Sequence, residues 1–133
     1  MIDAIFVSPM VHVTVGTLVL ITCALALFAT VRAAWSKRPF SAVTQGLFIL
    51  FQVTLMVQIL VGIKLLDQGF GPLQLYIHYL GGVAPIGFTL LFYWLPGADS
   101  IAKSRRAAIV TALSFAFVLM TFVIGSMYVP GGV

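Results

Sequence analysis

Apolar positions run almost unbroken through four stretches of the chain, approximately residues 7–31, 42–66, 73–95 and 107–129, and the polar breaks between them are short. A hydrocarbon layer roughly 30 Å thick needs about 20 apolar residues per helix, so each stretch is long enough to cross it. The pattern predicts an all-α, integral membrane, antiparallel four-helix bundle, one transmembrane domain over 1–133 with no internal repeat and no extramembrane domain. Punctuation agrees with the helices. Ser8-Pro9 predicts the first start, Pro39 in "SKRPFS" ends one helix and fits the first turn of the next, "GFGP" precedes the third, and Pro96-Gly97 and Pro130-Gly131-Gly132 close the last two. Pro85 falls inside the third helix and predicts a local kink, tolerated where neighbouring groups satisfy the freed carbonyl.

Composition sharpens this. The 133 residues are 62% hydrophobic and 8% charged, with a mean hydropathy of +1.17, so nearly all of the chain is buried in something larger than its own small core, namely membrane lipid. The opening "MIDAIFVSP" carries Asp3 and no basic residue, whereas a secretory signal begins with positive charge; the first stretch is expected to be a retained helix.

The net charge of +4 is concentrated. Arg32, Lys37 and Arg38 lie between the first two helices and Lys103, Arg105 and Arg106 between the last two, leaving Lys64 as the one basic residue elsewhere. The positive-inside rule assigns both basic loops to the cytoplasm and both termini, with "LDQGFGPLQ", to the outside of a bacterial cytoplasmic membrane or its equivalent. Trp35, Tyr93 and Trp94 then mark the inner interface and Tyr76, Tyr79 and Tyr128 the outer one. The basic loops read as topology signals, with no nucleic-acid partner implied.

Little acid-base or nucleophilic chemistry is available. There is no glutamate, the aspartates are Asp3, Asp67 and Asp99, and Cys23 is the single cysteine, expected to pack inertly. A zinc or non-haem iron site wants three or four His, Cys, Asp or Glu ligands, and a hydrolase triad fails for similar reasons. What remains is a pair of histidines. His12 and His78 each lie one to two turns from the outer start of helices 1 and 3, hence at similar depth at roughly 1.5 Å per residue. In an up-and-down bundle these helices are diagonal neighbours whose inner faces meet, so two imidazoles could bind opposite faces of one flat cofactor. Haem b suits such a core. Gly16, four residues after His12, and Gly81 and Gly82, three and four after His78, would give a macrocycle room. The same glycines equally fit close helix packing, and the histidines equally fit hydrogen-bonded interfacial residues.

Helix 2 adds Gln58 and Gly62, four apart on one face, where the amide can bond across the bundle. Lys64 lies about 200° around the helix from Gly62, at about 100° per residue, and is expected to snorkel to the outer headgroups; pairing with a haem propionate is the alternative. Gln45 and Gln52 are expected to glue helices together.

Together, "VHVTVG" at His12, "VQILVGIKLLDQG" with Gln58, Gly62 and Gly69, and "YIHYLGG" at His78 resemble one half of haem A synthase, over approximately residues 9–95. The resemblance implies a four-helix unit holding one haem through His12 and His78 near the outer face. It does not extend to the family's catalytic glutamate or outer-loop cysteine pair, nor to its second half. The expected function is therefore a small b-type cytochrome with one bis-histidine haem, not an enzyme by itself. It would serve as an electron-transfer or structural haem subunit of a respiratory or photosynthetic membrane complex, exchanging electrons with neighbouring subunits or a quinone. A cofactor-free accessory subunit and a dimerising half-size haem A synthase-like protein are the alternatives. A transporter is disfavoured for want of a buried carboxylate.

The charge asymmetry yields a first test. A cysteine at Lys37, in a chain lacking Cys23, should react with an impermeant maleimide only after the inner face is opened; labelling in intact cells contradicts the topology.

Overall fold

The computed structural model describes residues 5–70, 76–96 and 99–127. Asp3, Gly71-Pro72, Gly97, Tyr128 and Pro130-Gly131-Gly132 lie outside the described residues. Four helices, α1 (Pro9–Trp35), α2 (Ala42–Asp67), α3 (Tyr76–Trp94) and α4 (Ser100–Met127), account for the regular structure. All four are long and apolar enough to cross a membrane, and there is no strand among the described residues.

The helix ends follow capping chemistry more closely than hydropathy. Ser8 caps α1, its hydroxyl accepting from the N–H of Met10 with Pro9 at the first helical position. α2 begins after Ser41, whose hydroxyl accepts from Thr44 N–H, so Pro39 stands outside the first turn. The largest departure is α4, which starts seven residues before its apolar stretch. The Asp99 carboxylate accepts from the N–H groups of Ile101 and Ala102 and so organises the first turn of a helix whose first two turns carry Lys103, Arg105 and Arg106. α1 likewise runs past its apolar stretch to Trp35. It ends with Arg38 N–H on Ala33 O and Lys37 in the left-handed region at φ 50°, a conformation costing a non-glycine residue about 1 kcal/mol. α2 ends the same way with Gly69 at φ 80°, where no such cost arises. α3 continues through Pro85, which is buried.

Around the bundle α1 packs on α2 and α4, and α3 on α4; α2 and α3 meet sparsely, and α1 and α3 lie diagonally without backbone approach. Val7 and Gln68 exchange two hydrogen bonds of 2.7 and 2.8 Å, fastening the start of α1 to the end of α2. Ser104 donates to Arg38 O and Phe40 N–H to Ser100 Oγ, fastening the start of α4 to the link between α1 and α2. The bundle thus has a histidine end and a basic end.

Its interior is built from small and hydroxyl-bearing residues as much as from large ones. Cys23, Ala26, Thr30, Ala107, Thr111 and Ser114 are all fully buried, which lets α1 and α4 approach closely. Thr30 and Thr111 share a 2.7 Å hydroxyl–hydroxyl bond, and Thr22 and Thr54 one of 2.8 Å. Two apolar clusters complete the core. Val19, Phe51, Leu55 and Val118 fill the middle, and Phe48, Phe92, Ala107 and Val110 the basic end. Large side chains such as Phe28, Leu60, Leu80 and Ile109 point outwards instead, an apolar exterior that only lipid solvates without penalty. Trp35 and Trp94 are exposed at the basic end, as an interfacial belt requires. Of the two glutamines expected to join helices, Gln52 does so by accepting from Tyr93 OH, whereas Gln45 faces outwards because its position lies beside the buried Thr44 and Phe48 rather than on their face.

Ala107 is enclosed by Phe48 and Phe92, so Ala107→Leu should lower stability by about 1–3 kcal/mol through overpacking. Ile109→Ala, on the exterior, should stay within about 0.5 kcal/mol. Thermal unfolding in detergent distinguishes the two.

Candidate functional site

At the histidine end the imidazoles of His12 and His78 stand with ring centroids 6.0 Å apart and planes inclined at 55°. They bridge α1 and α3, the diagonal whose backbones do not otherwise approach. Each ring is held from the neighbouring helix. His78 Nδ1–H donates to the carbonyl of Thr121 on α4 at 2.9 Å; a carbonyl only accepts, so the proton is on Nδ1 and the lone pair on Nε2. His12 Nε2 lies 3.2 Å from the Gln58 amide nitrogen on α2. The amide can meet this ring in two ways: its NH2 donates to an Nε2 lone pair, or its carbonyl, turned over, accepts from Nε2–H and leaves the lone pair on Nδ1. His12 Nδ1, Gln58 Oε1 and Thr121 Oγ1 are buried without a hydrogen-bond partner. Three unsatisfied polar atoms in one layer of an apolar bundle are costly.

The glycines explain how the rings fit. A Cβ on Gly62 would lie 3.3 Å from His12 Cε1, and one on Gly125 would lie 2.9 Å from His78 Cε1. In return a Cβ on Gly16 would meet the Gln58 amide at 3.0 Å, and one on Gly81 would press on Thr121 and on Met120. Gly82 is looser, with Thr121 Cγ2 at 3.9 Å from its Cβ position. Within each hairpin, then, a polar side chain of one helix lies over the glycine of the other, reciprocally: His12 over Gly62 and Gln58 over Gly16, His78 over Gly125 and Thr121 over Gly81.

Three of the four pairs are written in the sequence as a polar residue followed by glycine four positions later, "HVTVG", "QILVG" and "TFVIG"; in "HYLGG" the tightly contacting glycine, Gly81, follows at three. The α1–α2 and α3–α4 hairpins thus use the same kind of polar-over-glycine contact. That repeat is invisible to hydropathy, and reading α4 for hydrophobicity alone misses Thr121 and Gly125. The repeated offset from polar residue to glycine was the available signal.

Lys64 takes no part in the layer. Its ammonium pairs with Asp67 at 2.5 Å, the lysine side chain largely covered and the aspartate open. The described residues contain no cluster of three or more His, Cys, Asp or Glu side chains able to hold a metal. His12 and His78 are therefore the two imidazoles from which a ligand set would be built. No protein-family model, curated protein or solved structure matches the chain.

The glycine contacts are testable independently of any ligand. Gly125→Ala should displace the His78 ring and lower stability by about 1–3 kcal/mol. Gly87→Ala, whose Cβ would meet nothing within 4 Å, should be neutral or stabilising by up to about 1 kcal/mol through helix propensity. Gly62→Leu should likewise disturb assembly far more than Leu60→Ala. Thermal unfolding of the four variants orders them.

Proposed function

We propose that the chain is a small b-type cytochrome of an antiparallel, four-span membrane bundle with both termini outside, holding one haem b between His12 and His78. The observation that carries this reading is the meeting of two imidazoles, ring centroids 6.0 Å apart, across a diagonal whose backbones do not approach. His12 and His78 would be the two residues to hold the haem iron.

The donor chemistry fits as well. His78 is oriented through Nδ1–H on a backbone carbonyl, the usual arrangement for a metal-binding imidazole, which also raises the basicity of Nε2. His12 keeps a buried ring nitrogen without a protein partner. Gly62 and Gly125 admit the rings close to the backbones of α2 and α4. Gln58 and Thr121 position the rings, and the surrounding apolar helices keep water out. A haem held by two imidazoles supplies one-electron transfer. Among the described residues no carboxylate stands in this layer to supply the acid that haem A synthase chemistry would ask of the chain. The cytochrome thus serves as an electron-transfer or haem-anchoring subunit of a larger membrane complex, with neighbouring subunits or a quinone as its redox partners.

A second reading rests on a specific observation: both rings already have hydrogen-bond partners within their own hairpins. In that case the histidines join helices in a cofactor-free accessory subunit.

Optical spectra decide between them. The protein purified after expression with haem supply should show the sharp reduced bands of a six-coordinate b haem. His12→Ala and His78→Ala should each abolish the low-spin signature and lower thermal stability, since a ligand bound only by the folded state stabilises it. Retention of the wild-type spectrum by both variants, or a haem-free wild type, transfers the case to the accessory-subunit reading.

A further inference from the structure

Away from the histidines, α3 and α4 part at the basic end to leave a groove of about 440 Å³. Leu91 of α3, Leu95 just beyond its end, and Ile109 and Leu113 of α4 form its walls, all four well exposed. Each pair of wall residues spans about 6 Å, one turn of helix. Arg105 and Arg106 stand at its rim. The Arg106 guanidinium donates to the carbonyls of Leu95 and Pro96, at 2.6 and 3.3 Å, so the side chain is held across the mouth of the groove by the free end of α3. Neither arginine is neutralised. The one ion pair among the described residues is Lys64–Asp67 at the other end, and the nearby Asp99 carboxylate is occupied by the first turn of α4.

An aliphatic slot closed at one end by two uncompensated guanidinium groups is complementary to one class of molecule available in a membrane. We propose that this groove is a binding site for an anionic phospholipid, its acyl chain lying between Leu91, Leu95, Ile109 and Leu113 and its phosphate on Arg105 and Arg106. Guanidinium groups pair with phosphate through charge-assisted hydrogen bonds, and basic pockets between spanning helices favour anionic headgroups. A zwitterionic lipid brings its own cation against the arginines and gains less.

The test is thermal unfolding of the purified full chain in a neutral detergent, titrated separately with dioleoylphosphatidylglycerol, dioleoylphosphatidylcholine and inorganic phosphate. Phosphatidylglycerol should raise the midpoint in a saturable manner, and the other two should not. Arg105→Gln should raise the half-saturating concentration about fivefold, the contribution of one basic residue at an anionic headgroup. Ile109→Trp, which fills the slot from the lipid-facing side, should remove the response, and Lys37→Gln, a basic residue outside the groove, should leave it intact. The proposal is overturned if phosphatidylcholine or phosphate alone acts as well as phosphatidylglycerol. It is overturned equally if Lys37→Gln weakens the response as much as Arg105→Gln, since diffuse charge then suffices, or if Ile109→Trp retains it in full.

Discussion

Hydrocarbon offers no hydrogen bonds, and that constraint governs the arrangement of nearly every polar side chain in this bundle. Thr14, Thr17, Thr22, Thr30 and Thr111 each have a carbonyl one turn back in the same helix within reach of the hydroxyl. Where two such hydroxyls face each other across helices, as Thr30 and Thr111 do, one gives its proton to the other's oxygen and the second returns its own to its helix, so the pair fixes which faces meet and leaves neither oxygen unpaired. Ring nitrogens have no such local recourse. His78 must reach another helix, and it reaches the Thr121 carbonyl, which is approachable because the residue one turn beyond, Gly125, has no side chain to cover it. The glycine that makes room for the ring is the same glycine that uncovers its acceptor.

Hydropathy made the four spans legible because lipid burial is a property of composition, to which the order of residues within a span contributes little. It was poor at ends. The start of α4 depends on one carboxylate, Asp99, capping a turn of charged residues, and the end of α1 on a left-handed lysine, neither of which alters a window average. The meeting of His12 and His78 could be anticipated from equal depth on helices of like direction. Their partners were half legible: Gln58 announces itself as a buried amide, whereas Thr121 acts through its backbone, which no side-chain identity encodes. Lys64 is separated from the layer by its angle on α2, and its pairing with Asp67 follows from the three-residue spacing that puts both on neighbouring turns. For Gln45 and Gln52 the sequence offered two identical side chains seven residues apart; the difference between them arises from the sparse contact of α2 with α3, where Tyr93 is present to meet one and nothing meets the other.

The two halves of the polar layer are equivalent in position but not in chemistry. Gln58 offers His12 a side-chain amide able to present either a donor or an acceptor, while Thr121 offers His78 only a fixed acceptor. One imidazole therefore has its tautomer dictated and the other has a choice, so two similar hairpins hold rings with different freedom. A ligand gripped by both would experience a fixed side and an adaptable one.

The sparse seam between α2 and α3 gives the molecule the form of an open book. Its spine is the close, small-residue contact of α1 with α4, its two leaves are the hairpins, and the free edges touch chiefly near the basic end, where Tyr93 reaches Gln52 and Phe92 meets Phe48. Each histidine belongs to a different leaf and is fastened within it. Spreading the leaves at the histidine end would part the two rings without unwinding a turn of helix or breaking the bond that orients either one. Anything grasped by both imidazoles would in that geometry act as a clasp, and its entry and departure would run sideways, through the plane of the membrane.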